Sequence, residues 1–212
     1  MPVLANLSRL AFYPVPKNAC TSVKIVLRRA ETGEVSDDIE QAHRWQGTPG
    51  FEPAPEGYRT FCVVRDPVDR FISGYRNRVG HFGELGEGAV PDDAMRALGL
   101  QYDPDIEFFA LHLAQYMAVS ESIDHHFRPQ AYFLGWDLKF YDRVFAWGQF
   151  ELLSDFLAEA TGIESGLPVT QDGGRKISRN EVPDWLPLFL ATAYAGDYAL
   201  LQGYYPPHTA RD

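Results

Sequence analysis

The chain has 212 residues, of which 45% are apolar and 23% are charged, a composition typical of an ordinary globular protein. Its 14 Phe, 11 Tyr and 4 Trp residues exclude a disordered chain, and no apolar run reaches the roughly 18 residues that a membrane span needs. The formal net charge of −10 disfavours nucleic acid and anionic membranes as partners.

The N-terminal third predicts two strands, each followed by a helix. Residues 9–16 form an apolar run that ends in prolines and predict a short strand, and residues 22–30 predict a helix with apolar positions on one side. Residues 31–57 predict mostly loop around one weak helix near 37–45. Residues 58–64 predict a buried strand, and Asp66-Pro67 supplies a cap and an N1 proline for a helix that runs to about residue 79.

The remaining two thirds predict helices and one further strand. Residues 80–103 are rich in glycine and acids and predict a loop or lid, and a helix follows over 104–119. The later predictions are a strand at 143–147, a helix at 150–161, a loop at 166–178 and helices at 185–195 and 198–201. Strands separated by helices indicate one α/β domain over residues 1–212, with a mainly parallel central sheet flanked by helices.

Charge is distributed unevenly along the chain. Residues 9–29 hold five cations and no acid, and residues 59–78 hold five arginines against two aspartates, whereas the rest of the chain has nine cations and 27 acids. These basic stretches either cover exposed helix faces, which is the commoner outcome, or form a focused anion site in an acidic protein.

The two cysteines, Cys20 and Cys62, are far apart and neither has a CxxC neighbour. This spacing predicts neither a zinc site nor a disulfide framework. The first ten residues show no secretory signal, so we expect a cytoplasmic protein.

The first candidate site is the segment VPKNACTSVK, a strand–loop–helix at residues 15–24. Such a turn directs backbone amides and the positive end of a helix at one point, which suits an anion. Lys17 adds a full charge, and Thr21 and Ser22 add hydroxyl donors. The segment contains no glycine and lacks the Walker A pattern of nucleotide kinases.

The second candidate site is VRDPVDRFISGYR at residues 64–76. Arg65 ends a buried strand, where ligands gather in α/β sheets, and Ser73 lies two helical turns further on. The plainer alternative is that Asp66 caps the helix and that Arg65 or Arg70 pairs with Asp69.

Together, these two segments resemble the sulfotransferases that use 3′-phosphoadenosine 5′-phosphosulfate (PAPS), and their carbohydrate branch in particular. VPKNACTSVK resembles the 5′-phosphosulfate loop, and FCVVRDPVDRFISGYRN, at residues 61–77, resembles the 3′-phosphate element. Further similar segments are DHHFRPQ at 124–130, YDRVF at 141–145 and the DY and GY pairs at 197–198 and 203–204. Residues 31–57 and 80–103 are unmatched, and there the resemblance implies variable loops or a lid at the acceptor site.

The resemblance implies a P-loop-like fold and sulfuryl transfer from PAPS to a hydroxyl of a carbohydrate or small molecule, with adenosine 3′,5′-bisphosphate as product and no metal. It implies these site residues: Lys17 at the bridging oxygen, with Asn18, Ala19, Cys20, Thr21 and Ser22 behind it; Arg65 and Ser73 on the 3′-phosphate, aided by Arg175 and Lys176; and His126, or its rival His125, as the base. Asp124 replaces the Asn that we align there in related sequences. A P-loop-type nucleotide kinase and a non-catalytic nucleotide-binding protein are the alternatives.

Overall fold

The structure is a computed structural model that describes residues 1–34, 39–45, 50–164, 166–168, 177 and 179–207. Over these residues the strands are β1 Val3–Ala5, β2 Leu10–Tyr13, β3 Arg59–Val64 and β4 Arg143–Ala146. The α-helices, in chain order, are α1 Cys20–Thr32, α2 Ile39–Arg44, α3 Pro67–Tyr75, α4 Asp92–Ala97, α5 Ile106–Leu111, α6 Leu113–Val119, α7 Glu121–Phe127, α8 Gln130–Leu134, α9 Phe150–Thr161, α10 Trp185–Ala193 and α11 Ala195–Leu200. None of the described helices combines the length and the apolar character that crossing a membrane requires.

The chain divides into two compact units. Unit 1 comprises Met1–Arg65 and Gln130–Thr170, and unit 2 comprises Asp66–Pro129 and Gln171–Asp212. The four described strands all belong to unit 1, whereas the described part of unit 2 is helical. The expectation of one domain over the whole chain stays a prediction.

The sheet of unit 1 has the order β1-β2-β3-β4. β2 pairs with β3 and β3 with β4 in parallel, and β1 pairs with β2 antiparallel. The mainly parallel α/β sheet expected from the sequence is therefore confirmed. The edge strand β1 was missed, because three residues are too few to show a period of two.

The core of unit 1 fills the space between the sheet and two helices. Phe12 of β2 stacks on Phe61 of β3 with ring centroids 5.0 Å apart, and Phe61 meets Phe156 of α9 at 5.1 Å. The apolar positions of α1 and α9 recur three and four residues apart and join this core: Val23, Val26, Leu27, Leu153, Phe156 and Leu157. This packing holds α1 against the sheet and so fixes where the loop before α1 lies.

The core of unit 2 is built from aromatic rings. Phe71, Phe109 and Phe127 form a mutually contacting trio with centroid distances of 4.9 to 5.6 Å. Leu85 and Met95 are buried in the same core, so part of the expected loop at 80–103 is packed, and α4 lies within it.

Two helix predictions for unit 2 need correction, and a further helix was not predicted. The expected helix over 104–119 is two helices, because His112 leaves the helical region with φ −113° and ψ 21°. α3 ends at Tyr75 and continues as the π-helical segment Arg76–His81, where the Phe82 amide donates to the Asn77 carbonyl five residues back. α7 was not predicted at all.

Candidate functional site

The candidate site in unit 1 lies at the carboxyl edge of the parallel strands. Tyr13 pairs with Cys62, and Val64 with Ala146, so β2, β3 and β4 end at the same edge of the sheet. The residues just beyond this edge belong to the Lys17 loop, residues 14–19, and to the starts of the segments after β3 and β4. This edge is where open α/β sheets bind ligands.

The Lys17 loop has an unusual backbone. Lys17 has φ 70° and Ala19 has φ 58° with ψ 19°, so two residues that are not glycine adopt the left-handed conformation. This conformation costs an L-amino acid about 1–2 kcal/mol, and such strain concentrates at functional sites.

The loop leads directly into the N-terminus of α1. Ala19 is the N-cap residue and its side chain makes no cap bond, and the first-turn amides of α1 point back toward the loop. Thr21 and Ser22, in that first turn, are 4% and 7% exposed. The loop therefore joins a lysine to the positive end of a 13-residue helix, which is an arrangement that suits an anion.

Arg65, directly after β3, is tied to the same loop. Its guanidinium donates from Nη1 to the Lys17 carbonyl over 3.0 Å and stacks on the Trp147 ring, with its Cζ atom 3.9 Å from the ring centroid. The hydrogen bond and the aromatic face together fix the plane of the guanidinium. The structure thus brings Arg65 against the backbone of Lys17 and places Trp147 beside them.

Beneath these cations lies a buried pair of amide side chains. Asn18 and Gln130 are both 0% exposed, and Asn18 Nδ2 donates to Gln130 Oε1 over 2.7 Å and to the Val63 carbonyl over 2.9 Å. Gln130 also bonds to both backbone groups of Arg65. The backbone amide of Asn18 donates to the Val15 carbonyl, so Asn18 stabilises the loop through both its backbone and its side chain.

One helical turn into α1, Lys24 is 8% exposed. Burial lowers the pKa of its ammonium group, because the charged form loses hydration. Lys24 is therefore deprotonated more easily than an exposed lysine.

In unit 2, Asp66 begins α3 and gathers several donors. Its Oδ1 accepts from the amides of Val68 and Asp69 at 2.9 and 3.1 Å, which is the expected N-cap. Arg179 donates to the same oxygen at 2.6 Å, and the Tyr198 hydroxyl donates to Oδ2 at 3.2 Å.

The predicted pairing of Asp69 with Arg65 or Arg70 is not the one observed. Asp69 lies 3.1 Å from Arg179, and Arg70, which is 2% exposed, donates to the backbone carbonyl of His126. Arg65 has the contacts described above. The predicted cap of α3 by Asp66 is therefore confirmed, whereas the predicted partner of Asp69 is wrong.

The two histidines lie in the last turn of α7, and their surroundings differ. His126 Nδ1 is 2.7 Å from the Ser122 carbonyl, and a carbonyl can only accept, so in the neutral ring Nδ1 carries the proton and Nε2 the lone pair. His125 contacts the His126 ring edge to face at 5.1 Å. Asp124 forms an ion pair with Arg128.

The remaining predicted residues are placed less fully. Ser73 lies half-buried on α3 in unit 2. Arg175 and Lys176 lie outside the described residues. No cluster of His, Cys, Asp and Glu suited to a metal ion occurs within the residues that the structure describes.

Sequence reasoning missed Gln130, Trp147 and Arg179. A weak signal existed for two of them: Gln130 follows the His-containing segment, and Trp147 follows the end of a predicted strand, as Arg65 does. Their partners are 65 and 82 positions away in the chain, so no local pattern could reveal the contacts.

Comparison with known proteins gives one match. The model of the sulfotransferase family matches residues 4–183, a span that includes the Lys17 loop, Arg65, Ser73 and the histidine pair. Neither the curated proteins nor the solved structures yield a match. With 180 of its 212 residues matched, the chain belongs to the sulfotransferase family.

Proposed function

We propose that the chain transfers a sulfuryl group from PAPS to a hydroxyl acceptor, in line with the general activity of its family. The single observation that carries the proposal is the edge of unit 1, where Arg65 donates to the carbonyl of Lys17 in a loop that opens a helix. The alternatives of a nucleotide kinase and of a non-catalytic nucleotide-binding protein are outcomes of the tests below.

The donor set of this edge fits a polyanionic nucleotide. Its groups are an ammonium, a guanidinium, two hydroxyls and the amides of a helix N-terminus, and all of these can donate to phosphate or sulfate oxygens. No carboxylate is among them. When bound, PAPS supplies the sulfuryl group and the bisphosphate leaving group.

For unit 1 we assign roles from this geometry. Lys17 neutralises the charge that develops on the bridging oxygen, supported by the amides of residues 19–22. Arg65 holds the 3′-phosphate, because its stacked guanidinium presents a planar set of donors that matches phosphate oxygens.

For unit 2 the assignments rest on the sequence motifs. Ser73 is assigned as a hydroxyl donor to the 3′-phosphate, and Arg175 and Lys176 as further cations. His126 is preferred to His125 as the base, because its Nδ1 contact with Ser122 places the lone pair on Nε2, which then takes the proton of the acceptor hydroxyl.

The acceptor class is proposed from the resemblance to the carbohydrate branch, and the compartment is proposed from the state of the two cysteines. The motif resemblance favours a carbohydrate hydroxyl or a small alcohol. Cys20 and Cys62 are both free thiols, which fits the reducing cytoplasm.

Donor specificity is tested by calorimetric titration with adenosine 3′,5′-bisphosphate, ADP and AMP. We expect the bisphosphate to bind about 10–100-fold more tightly than ADP, since a charge-assisted hydrogen bond contributes about 1.5–3 kcal/mol. Equal affinities would contradict the proposal and favour the kinase alternative.

Turnover is tested by mass spectrometry, as the gain of one SO₃ group by hydroxyl compounds incubated with PAPS. Lys17→Ala is expected to abolish the gain, and Arg65→Ala is expected to weaken bisphosphate binding about 10–100-fold. Lys139→Ala and Arg143→Ala, at exposed positions of unit 1, are the matched controls. Tight bisphosphate binding without turnover on any acceptor would favour the non-catalytic alternative.

A further inference from the structure

We propose that Gln130 is a positioning residue that fixes Arg65 and the Lys17 loop relative to each other. Gln130 opens α8 and is 0% exposed. The inference rests on the proposed function, because it assigns Gln130 the task of setting the geometry of the anion-binding groups.

The contacts of Gln130 continue the sheet beyond its last strand pair. The ladder between β3 and β4 reaches Val64, and Arg65 is the next residue. There Gln130 Nε2 donates to the Arg65 carbonyl over 2.7 Å, and the Arg65 amide donates to Gln130 Oε1 over 3.2 Å. One side-chain amide thus pairs with both backbone groups of Arg65, as a neighbouring strand does.

This pairing leaves the side chain only one orientation. A backbone N–H can only donate and a carbonyl can only accept, so Oε1 must face the Arg65 amide and Nε2 must face its carbonyl. The same Oε1 then accepts from Asn18 Nδ2 at 2.7 Å, and Nδ2 also reaches the Val63 carbonyl at 2.9 Å. The network therefore links β3, Gln130 and the loop in one arrangement.

Asn18 lies between the two left-handed residues Lys17 and Ala19. Its anchored side chain explains how the loop keeps a backbone that those two residues disfavour. The Arg65 guanidinium adds a second link between β3 and the loop, because it donates to the Lys17 carbonyl over 3.0 Å. Gln130 is the shared member, because it alone contacts both the Arg65 backbone and the Asn18 side chain among the described bonds.

Two buried amides are a costly way to fill a core. An apolar side chain of the same size at position 130 would fill this volume but would remove these hydrogen bonds to the Arg65 amide and carbonyl and to Asn18, whereas the Gln130 amide specifies one geometry for all three. Misplacing a positioned group by about 1 Å costs about 100-fold in rate, so precise placement has a functional value.

The test measures bisphosphate affinity by calorimetry in four proteins: wild type, Gln130→Met, Arg65→Ala and the double variant. Gln130→Met keeps the length of the side chain and removes its hydrogen bonds. We expect it to weaken binding about tenfold in the wild-type background, because Arg65 is no longer held in place. In the Arg65→Ala background we expect a smaller further loss, about threefold, since only the placement of the Lys17 loop through Asn18 then depends on Gln130.

The matched control is Gln41→Met, at an exposed position of α2 in unit 1, and it should bind like wild type. Circular dichroism checks that each variant is folded. If Gln130→Met does not fold, Asn18→Ala replaces it in the same two backgrounds with the same expectations, because it breaks the network from its other side.

Two results would overturn the inference while leaving the proposed function intact: unchanged affinity in Gln130→Met, or an equal loss in both backgrounds, which marks a general structural role. A wild-type protein that does not bind the bisphosphate overturns the proposed function, and this inference with it.

Discussion

Replacing Asp66 tests how the start of α3 is held. One carboxylate accepts from two helix amides, from the Arg179 guanidinium and from the Tyr198 hydroxyl. The Asp66 side chain is 10% exposed and that of Arg179 is 33% exposed, so their ion pair is only partly screened by water.

The expected losses follow from these contacts. Removing the N-cap costs about 1 kcal/mol, the partly exposed ion pair with Arg179 adds about 1 kcal/mol, and the Tyr198 hydrogen bond adds about 1 kcal/mol. Asp66→Ala is therefore expected to lower the free energy of unfolding by about 3 kcal/mol. Asp66→Asn keeps the cap and a polar partner for Tyr198 but loses the charge, so we expect about 1 kcal/mol.

The assay is urea unfolding followed by both circular dichroism and fluorescence, since coincident curves are needed before one free energy can be extracted from a chain with two compact units. Asp69→Asn is the matched control. Its side chain is 47% exposed and has one ion-pair contact, so we expect a loss below about 0.5 kcal/mol. Equal losses for Asp66→Ala and Asp66→Asn would refute the cap contribution, and a loss below about 1 kcal/mol for Asp66→Ala would refute the whole argument.

Three further substitutions test other features by the same unfolding assay. Gly74→Ala is expected to cost about 1–3 kcal/mol although alanine favours helices, because the new Cβ would lie 2.9 Å from the buried Phe127 ring; a stabilised variant would contradict this packing. Ala19→Gly is expected to raise stability by up to about 1 kcal/mol, because glycine adopts φ 58° without strain, and a destabilised variant would show that Ala19 does not have this conformation. Lys24→Met is expected to be more stable than wild type at pH 7. The pKa of Lys24 is lower in the folded chain, so the unfolded chain binds the proton more readily. The free energy of unfolding of the wild type therefore rises with pH toward the ordinary lysine pKa, and the advantage of the variant shrinks. A difference in stability between the two proteins that does not change with pH would exclude burial of the Lys24 charge as its cause.

Elements with a strong local signal were predicted well. The apolar run of β3 and the Asp66-Pro67 start of α3 are confirmed, and α9 has the predicted bounds. The break at His112 and the π-helical segment after Tyr75 were not predicted, because the apolar period continues through both and only the backbone angles and bonds change.

The candidate site was predictable where its residues lie next to strand ends. Lys17 and Arg65 were proposed in this way, because a charged residue at or soon after the end of a buried strand is a local pattern. Gln130 and Trp147 were not, since their role depends on which distant backbone or side chain they touch. His126 was already preferred to His125 from the motif, and the structure adds its Nδ1 contact with the Ser122 carbonyl as a reason.

The left-handed residues of the Lys17 loop have a consequence for the entropy of binding. A loop with glycine at 17 and 19 would sample many backbone states when empty, and an anion would have to order it on arrival. Side chains at both positions exclude most of those states beforehand, so the loop is ordered during folding and not on binding. If the Lys17 loop binds phosphate as proposed, its lack of glycine trades some folding stability for a smaller entropic loss on each binding event.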